Sequence, residues 1–294
     1  MGAYDTMQKL ENLRKKITLY EYLPLGLGLA GFILPEIFDT YIYGLVGISA
    51  ALVSAVIFRS QAPYLKKEYR DLYKNTFVIP TLNSMLDDVE YDWHMGFTDI
   101  EVMGFGIIKI GNRFKSEDYI SASYKGVKFR QADVVIKNET GRGQDKNVQT
   151  YFSGRMFEFD FSSKVVANVK VFSKSYLSYL NLAGEEVEME DVDFNKCFHV
   201  FSLNTLEAFY ILTPQMMEKL TAINRHYPNI AFRFAPGKLY VGIVTDDSFD
   251  VGVTKKLSYP EEHARIKKDV QVIIDIIEMI DLIRDVTPAH PAEV

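Results

Sequence analysis

The chain has 294 residues, of which 48% are hydrophobic, a composition that predicts a folded protein with a sizeable core and excludes wholesale disorder. The formal net charge is -6, but it is unevenly distributed. Residues 1–74 hold nine Lys and Arg against seven Asp and Glu, whereas the remainder holds 24 against 32. Because nucleic-acid binding depends on cations that neutralise phosphates, the acidic remainder predicts no nucleic-acid partner.

The residue types that usually hold metals or cofactors are sparse in the sequence. A single cysteine, Cys197, excludes an intramolecular disulfide and a thiolate cluster within one chain, which fits a reducing compartment. The five histidines lack any recognised ligand spacing, and Gly104 and Gly106 lack the full spacing of a phosphate-binding loop. We therefore expect neither a metal nor a cofactor.

Residues 40–58, TYIYGLVGISAALVSAVIF, form the strongest local signal in the sequence. The run holds no charged side chain and would measure roughly 28 Å as a helix, close to the thickness of the hydrocarbon core of a bilayer. The apolar run upstream, residues 22–34, is shorter. Because the link over residues 35–39 allows only a tight turn, one spanning helix requires the other to return beside it. The sequence therefore predicts a transmembrane hairpin over residues 19–58.

Small residues recur every four positions in both apolar segments, a spacing that permits close helix–helix contact. They are Gly26 and Ala30 in the first segment and Gly47, Ala51 and Ala55 in the second. Packing within the hairpin is the simplest interpretation. Self-association through the same faces is the alternative.

Positive charges flank the predicted hairpin on both sides, whereas the charged residues of the turn between its segments are both acidic. The flanking cations are Lys9, Arg14, Lys15 and Lys16 before the hairpin and Arg59, Lys66, Lys67 and Arg70 after it. Because cytoplasmic loops carry an excess of Lys and Arg, we expect a multi-pass protein with both termini in the cytoplasm. Residues 1–18 would then form a cytosolic basic N-terminus.

Beyond the hairpin, residues 59–90 predict a juxtamembrane helix, because their apolar side chains recur at spacings of three and four. Residues 91–285 predict a cytosolic α+β domain, with a mixed or antiparallel sheet and flanking helices. An acidic run divides this domain into two sub-blocks, 91–180 and 185–285. Residues 286–294 are predicted to form a loose tail.

Three signals within the second sub-block are specific. Thr213 followed by Pro214 predicts the first residues of a helix. Residues 230–234 and 239–244 predict two strands joined by a tight turn. Isoleucines and valines spaced by four and three over residues 260–284 predict a closing helix with one apolar stripe.

Several short motifs follow one another in an order that is typical of one bacterial family. They are Ser116-Glu117-Asp118, Phe152-Ser153-Gly154, Phe194-Asn195-Lys196, Leu212-Thr213-Pro214 and Leu239-Tyr240-Val241. Over roughly residues 60–285, and in its two-helix anchor, the chain resembles domain of unknown function 3137 (DUF3137). The resemblance supplies no activity. It implies the inner (plasma) membrane of a bacterium as the location and a LemA-like membrane protein as a partner.

Two hypotheses of function follow. The first is a membrane-anchored, cytosol-facing interaction or scaffold protein that binds a protein partner or a second copy of itself. The second is a membrane-tethered enzyme whose active site is assembled by the fold. The candidate catalytic residues lie beside apolar or glycine-bearing segments and are Glu117, Asp118, Arg155, His199 and Glu207. Buried ion pairs are the alternative interpretation of these five residues.

Overall fold

The structure is a computed structural model in which the chain divides into two compact units. The residues described are 3–38, 41–160, 167–175, 180, 184–245, 248–253 and 255–286. The first unit comprises Met1–Thr81 and Phe249–Lys267, and the second comprises Leu82–Ser248 and Lys268–Val294. A stretch close to the C-terminus therefore belongs to the same unit as the N-terminal helices.

Two long helices dominate the first unit, α1 (Ala3–Phe38) and α2 (Tyr41–Tyr73). They pack antiparallel and approach closely at Gly47, where an added Cβ would lie 2.5 Å from the Cα of Gly31. Further along the same seam, the rings of Tyr20 and Phe58 stack with their centroids 4.3 Å apart. The absence of side chains at the two glycines is what allows the backbones to meet.

Ion pairs join α1 to α2 where the sequence becomes polar. Lys9 Nζ lies 3.1 Å from Glu68 Oε1, and Lys66 Nζ lies 2.5 Å from Glu21 Oε1. In the first unit, Tyr73 is buried at the end of α2, where its hydroxyl donates to Glu262 Oε2 at 2.5 Å and accepts from Arg265 Nη2 at 2.6 Å. These contacts fix the polar half of the helix pair.

One helix among the described residues is long and apolar enough to cross a membrane. It is the continuous helical stretch Tyr41–Met85, whose most apolar window has a mean hydropathy of 2.0 and is 6% buried. This stretch contains α2, a π-helical segment (Lys74–Val78) and α3 (Ile79–Met85). The antiparallel pairing of the predicted hairpin is thus present, while a membrane crossing by α1 stays a prediction.

The second unit is built on an antiparallel sheet with flanking helices, which confirms the predicted α+β class. Nine strands of the described residues lie in the order β1-β2-β3-β4-β9-β8-β5-β7-β6. The strands are β1 (Asp87–Asp92), β2 (Arg113–Tyr124), β3 (Val127–Thr140), β4 (Asn147–Asp160), β5 (Val169–Ser173), β6 (Glu185–Glu186), β7 (Phe198–Ser202), β8 (Ile230–Ala235) and β9 (Lys238–Val244).

Five further α-helices, besides a short 3-10 helix over Gly143–Asp145, complete the described part of the chain. They are α4 (Asp99–Phe105), α5 (Val192–Cys197), α6 (Thr205–Ile211), α7 (Pro214–His226) and α8 (Tyr259–Val286), of which α8 begins in the first unit and continues into the second. The start of α7 is as predicted, because Thr213 Oγ1 accepts a hydrogen bond from the Met216 amide at 3.3 Å and Pro214 is the first helical residue. The predicted tail lies outside the described residues after Val286.

The predicted juxtamembrane helix over residues 59–90 ends earlier than expected. Helical structure stops at Met85, and the following residues form β1, in which Tyr91 pairs with Ile120 of β2. Cys197 is likewise the last residue of α5, although the apolar side chains around it alternate as in a strand. In both places pairing with a distant strand fixes the boundary, and local spacing does not contain that information.

The two faces of the sheet differ in chemistry. One face carries an apolar cluster packed against α4 and built from side chains that alternate along β3 and β4. Its buried members are Phe97, Val102, Phe105, Ile107, Ile108, Ala132, Val134, Ile136, Phe152, Met156, Phe172 and Ala231. By the same alternation, Gln131, Asp133 and Arg155 point to the opposite face, where polar side chains are buried.

Candidate functional site

A row of charged residues crosses three neighbouring strands of the sheet. Asp133 of β3 is paired in register with Glu117 of β2 on one side and with Arg155 of β4 on the other. A register shift after Glu117 places an extra residue in β2, and Asp118 occupies it with a φ of 58°. Aspartate is among the few residues that adopt this left-handed conformation readily, so the bulge suits the sequence.

Arg155 is the centre of the hydrogen bonds in this buried cluster. Its Nη2 donates to Gln131 Oε1 at 2.5 Å, and its Nη1 donates to the backbone carbonyl of Asp269 in α8 at 2.8 Å. The guanidinium also lies over the ring of Phe157, 5.2 Å from its centroid. The planar guanidinium therefore joins two strands of the sheet to a helix.

Two aspartates complete the cluster. The Ser248 amide donates to Asp133 Oδ2 at 2.6 Å, and the Ser248 hydroxyl donates to Asp133 Oδ1 at 2.5 Å. Asp118 Oδ1 accepts a hydrogen bond from the Tyr91 hydroxyl of β1. The strand register and these hydrogen bonds thus bring β1, β2, β3 and β4 together with Ser248.

Burial dominates the electrostatics of the cluster. It raises the pKa of Asp133 to about 7, an effect that the nearby Asp118 reinforces and that Arg155 and the Ser248 hydrogen bonds oppose. Burial also lowers the pKa of Arg155 from its usual value, while the charges of Asp133 and Asp269 act in the opposite direction. Asp133 consequently changes protonation state close to neutral pH.

The chemistry open to this cluster is limited by access. Asp133 and Arg155 are each 3% exposed, Asp118 is 1% exposed and Gln131 is fully buried. Within the described part of the chain, Gln131 Nε2 has no hydrogen-bond partner. An aspartate with a pKa near 7 would suit general acid–base catalysis, but a substrate does not reach it in this conformation. The arrangement instead stabilises the junction of β2, β3, β4 and α8.

Of the other predicted catalytic residues, Glu117 lies beside this cluster on β2, whereas His199 and Glu207 lie apart from it. Glu117 pairs with Lys115 on the same strand. His199 Nδ1 lies 2.6 Å from Glu186 Oε1, on the paired strands β7 and β6 at the far end of the sheet. Glu207 Oε2 accepts a hydrogen bond from the Asn168 amide at 3.0 Å. The fold therefore brings Asp118 and Arg155 together, with Glu117 at the edge of the cluster, and separates His199 and Glu207 from them.

Sequence reasoning missed Gln131, Asp133 and Ser248. A signal for Asp133 was present in the sequence, since this charged residue directly precedes the apolar run 134–136. No local signal marks Ser248, which meets Asp133 only through the tertiary fold. No group of three or more His, Cys, Asp or Glu residues that could hold a metal ion occurs in the described portion of the chain.

The small residues predicted to pack the helix pair occupy different environments. Gly47 lies against Gly31 at the closest approach, and the Cβ of Ala51 would lie 3.9 Å from a Cβ added at Gly28. Ala30 and Ala55 are half-buried. A Cβ added at Gly26 would meet no atom within 4 Å, so this glycine faces open space.

The outward sides of α1 and α2 carry many large apolar side chains that no described residue covers. We call this surface the apolar belt, and its exposed members are Leu25, Leu29, Phe32, Ile33 and Ile37 of α1 and Tyr41, Ile42, Leu45, Val46, Leu52, Val53, Val56 and Ile57 of α2. A second, smaller group is exposed at α6, consisting of Leu203, Leu206, Phe209 and Tyr210. Contiguous exposed apolar surface of this kind marks contact with a membrane or a protein.

A family model matches part of the chain, and its description names no activity. Residues 150–282 match the family model described as "Protein of unknown function (DUF3137)". The predicted resemblance to DUF3137 is confirmed. The matched DUF3137 segment begins in β4 and ends in α8, so it includes Arg155 and Ser248 of the buried cluster and excludes the apolar belt.

Two further comparisons add little to the family match. No curated protein matches the chain. Among solved structures, the crystal structure of the mycobacterial trehalose monomycolate transport factor A, TtfA, is similar with 12% sequence identity and a TM-score of 0.39. The alignment covers 74% of this chain and 96% of that chain. A likeness at this level is too low to establish a shared fold.

Proposed function

We propose that this DUF3137 protein is a membrane-anchored interaction protein of the bacterial inner membrane. The observation that carries the proposal is the apolar belt, because so large an exposed apolar surface is unfavourable in water and favourable in lipid. The helix that contains α2 supports it, since its apolar residues alone are long enough to cross the hydrocarbon core. In this proposal α1 lies in the membrane beside α2, and both termini face the cytoplasm.

The position of the charges supports the same orientation. The ion pairs Lys9–Glu68 and Lys66–Glu21 lie on the polar side of the stacked Tyr20 and Phe58, as residues at the edge of a bilayer do. Acidic residues dominate the turn between the two apolar segments, whereas cations dominate both flanks. A hairpin with this charge distribution keeps its flanks on the cytoplasmic side.

The interaction role is supported by the exposed group at α6. Leu206 is 76% exposed and Leu203 is 74% exposed, and both side chains lie on the α+β unit. We propose that this group contacts a LemA-like membrane protein, the partner that the family resemblance implies. A partner held in the same membrane needs only modest affinity, because confinement to the bilayer raises the effective concentration of both proteins.

Membrane attachment is tested first, by alkaline carbonate extraction of membranes that contain the full-length protein. We expect the protein to stay in the pellet. Arginine in place of Val46 and Leu52 costs about 2.5–3.5 kcal/mol each in the bilayer centre, so this double variant should be released or degraded. Gln61→Arg is the control, since Gln61 is exposed on the same helix beyond the apolar run. Complete release of the unmodified protein would refute the anchor.

The partner is tested by co-purification in mild detergent of the tagged protein with the LemA-like protein from the same genome. We expect a stoichiometric complex that Leu203→Ser with Leu206→Ser weakens at least tenfold. Ile100→Ser with Met103→Ser is the matched control, because these exposed apolar residues lie on α4. A complex that forms only between two copies of this chain would replace the proposed partner with a homo-oligomer. Retention of the complex by both variants alike would exclude the α6 surface.

A further inference from the structure

A pocket of about 410 Å³ opens at the polar end of α2. One wall is formed by about two turns of the helix, and the other by the segment 250–253, which we call the strap. The lining residues are Pro63, Lys66, Lys67, Tyr69 and Arg70 of α2 and Asp250, Val251, Gly252 and Val253 of the strap. All of them belong to the first unit.

Hydrogen bonds hold the strap against the helix pair. Tyr69 Oη donates to the carbonyl of Gly252 at 3.5 Å, and both Arg14 Nη1 and Thr18 Oγ1 donate to the carbonyl of Val253 at 3.4 Å. The strap's Asp250 pairs with the buried Lys74, with Oδ1 and Nζ 3.3 Å apart. The pocket is therefore a preformed feature with a wall fixed at both ends.

The charges that line the pocket do not balance. Lys66 pairs with Glu21 and Lys74 pairs with Asp250, so each of these cations is neutralised. Lys67 is exposed and has no hydrogen-bond or ion-pair partner among the described residues. In the same described set, the buried Nε of Arg70 has no hydrogen-bond acceptor. The positive charges of Lys67 and Arg70, and the buried Nε–H of Arg70, are thus available to bind an anion.

The position along α2 indicates the source of that anion. The apolar run of α2 ends at Phe58, and Pro63, Lys67 and Arg70 follow about 7.5, 13.5 and 18 Å further along the helix axis. The headgroup region of a leaflet extends about 5–8 Å beyond the hydrocarbon core. A bilayer that covers the apolar belt therefore places its phosphate groups level with Pro63, at the membrane end of the pocket. Lys67 and Arg70 start deeper in the cytosol, but helical side chains tilt toward the helix N-terminus, so their long side chains extend back toward this level.

We propose that this pocket binds the phosphate headgroup of an anionic phospholipid, with Lys67 and Arg70 as its cationic ligands. A guanidinium suits a phosphate because its N–H groups match the spacing of two phosphate oxygens, while Lys67 contributes a second charge from the rim. Zwitterionic lipids carry a headgroup cation that Lys67 and Arg70 repel, so the pocket selects lipids with a net negative charge. The inference rests on the proposed membrane anchor for the origin of its ligand.

The test uses the full-length protein in a non-ionic detergent, titrated by calorimetry with soluble dihexanoyl phosphatidylglycerol and, separately, dihexanoyl phosphatidylcholine. We expect binding of the anionic lipid at least tenfold tighter than that of the zwitterionic one. Lys67→Gln with Arg70→Gln should weaken the anionic lipid roughly 30-fold, the effect of two basic residues at a lipid surface. Lys15→Gln with Lys16→Gln removes the same charge from exposed positions of α1 and should leave binding unchanged.

Each other outcome has a defined meaning. Equal losses of lipid affinity in the two double variants, or equal affinity for the two lipids, would contradict the proposal that this pocket is the lipid site. Glycerol 3-phosphate binding as tightly as the anionic lipid would assign the site to a soluble phosphate and overturn the lipid assignment. The short-chain lipid binds without a bilayer. If alkaline carbonate released the protein from membranes and the released protein still bound this lipid, the membrane anchor would be refuted and the lipid site would stand. If the double variant does not fold, the exposed Lys67→Gln on its own carries the test.

Discussion

The helix pair and the sheet unit place their side chains in opposite ways. Along the apolar belt, leucines, valines and aromatic residues face outward and glycines meet at the seam. In the sheet unit, most large apolar side chains are buried, the group at α6 being an exception, and even some charged residues are enclosed with hydrogen-bond partners. Desolvation explains both arrangements, because apolar surface on the outside requires an apolar solvent and a charge on the inside requires polar partners.

The largest effect is expected from removing the central cation of the sheet unit. Arg155→Ala removes the cation beside the buried Asp133 and the donor to Gln131 and the Asp269 carbonyl, and it should lower the free energy of unfolding by about 3–5 kcal/mol. Chemical denaturation in detergent measures it. Arg113→Ala is the matched control, since Arg113 is 65% exposed in its pair with Glu139 and should cost at most about 1 kcal/mol.

Arg155→Lys sharpens this experiment. It keeps the charge but lacks the planar fork that reaches both Gln131 and the Asp269 carbonyl, so an intermediate loss is expected. Equal costs for Arg155→Ala and Arg113→Ala would show that the buried cluster does not stabilise the sheet unit.

The next effect concerns the seam of the helix pair. Gly47→Leu inserts a side chain where the backbones touch and should cost up to about 3 kcal/mol and separate the helices. The readout is a disulfide between Gly28→Cys and Ala51→Cys in a Cys197→Ser background, because their Cβ atoms would lie 3.9 Å apart.

Gly26→Leu is the matched control for the seam, as it faces open space and should leave the cross-link intact. Cross-linking between two chains instead of within one would favour self-association, the alternative interpretation of the small residues. An undiminished intramolecular cross-link in Gly47→Leu would contradict the close approach of the two helices.

A pH-dependent effect follows from the buried aspartate. The pKa of Asp133 is about 7 in the folded protein and about 3.9 in an unfolded chain. Folding therefore favours the protonated form of Asp133. The contribution of this effect to the free energy of unfolding is fully present below about pH 4 and is lost as the pH rises through about 7. Between pH 5 and pH 7 the free energy of unfolding should fall by about 2 kcal/mol more in the natural protein than in Asp133→Asn.

Urea denaturation at pH 5, 6, 7 and 8 measures this difference. Asp133→Asn keeps a carbonyl for the Ser248 amide and an amide for the Ser248 hydroxyl, so both hydrogen bonds survive. Parallel pH profiles for the two proteins would mean that Asp133 is ionised throughout, as a full ion pair with Arg155 requires.

The smallest effect is expected at a helix start. Thr213→Ala removes the side-chain acceptor of the Met216 amide and should cost about 1 kcal/mol in thermal or urea unfolding. Thr213→Ser retains the hydroxyl and should restore most of that loss. A cost in Thr213→Ser as large as in Thr213→Ala would assign the effect to the lost methyl group.

Sequence patterns predicted the elements whose signals are local. Thr213 and Pro214 marked α7, the paired runs marked β8 and β9, and the charge-free run marked α2. The catalytic candidates were predicted less well, because Asp118 and Arg155 lie together while His199 and Glu207 lie elsewhere. Strand register brings Asp133 between Glu117 and Arg155, and register depends on pairing between segments that are distant in sequence.

The amino-acid sequence by itself determined the apolar run of α2, the charge on either side of it, the α+β class and the likeness to DUF3137. These are properties of composition and short-range spacing, which need no partner segment to be expressed. Only the tertiary structure decided that Gly47 meets Gly31, that Ser248 holds Asp133, and that the strap closes a pocket beside Lys67 and Arg70. Each of these joins residues far apart in the chain, and their distances follow from packing and strand pairing rather than from local propensity.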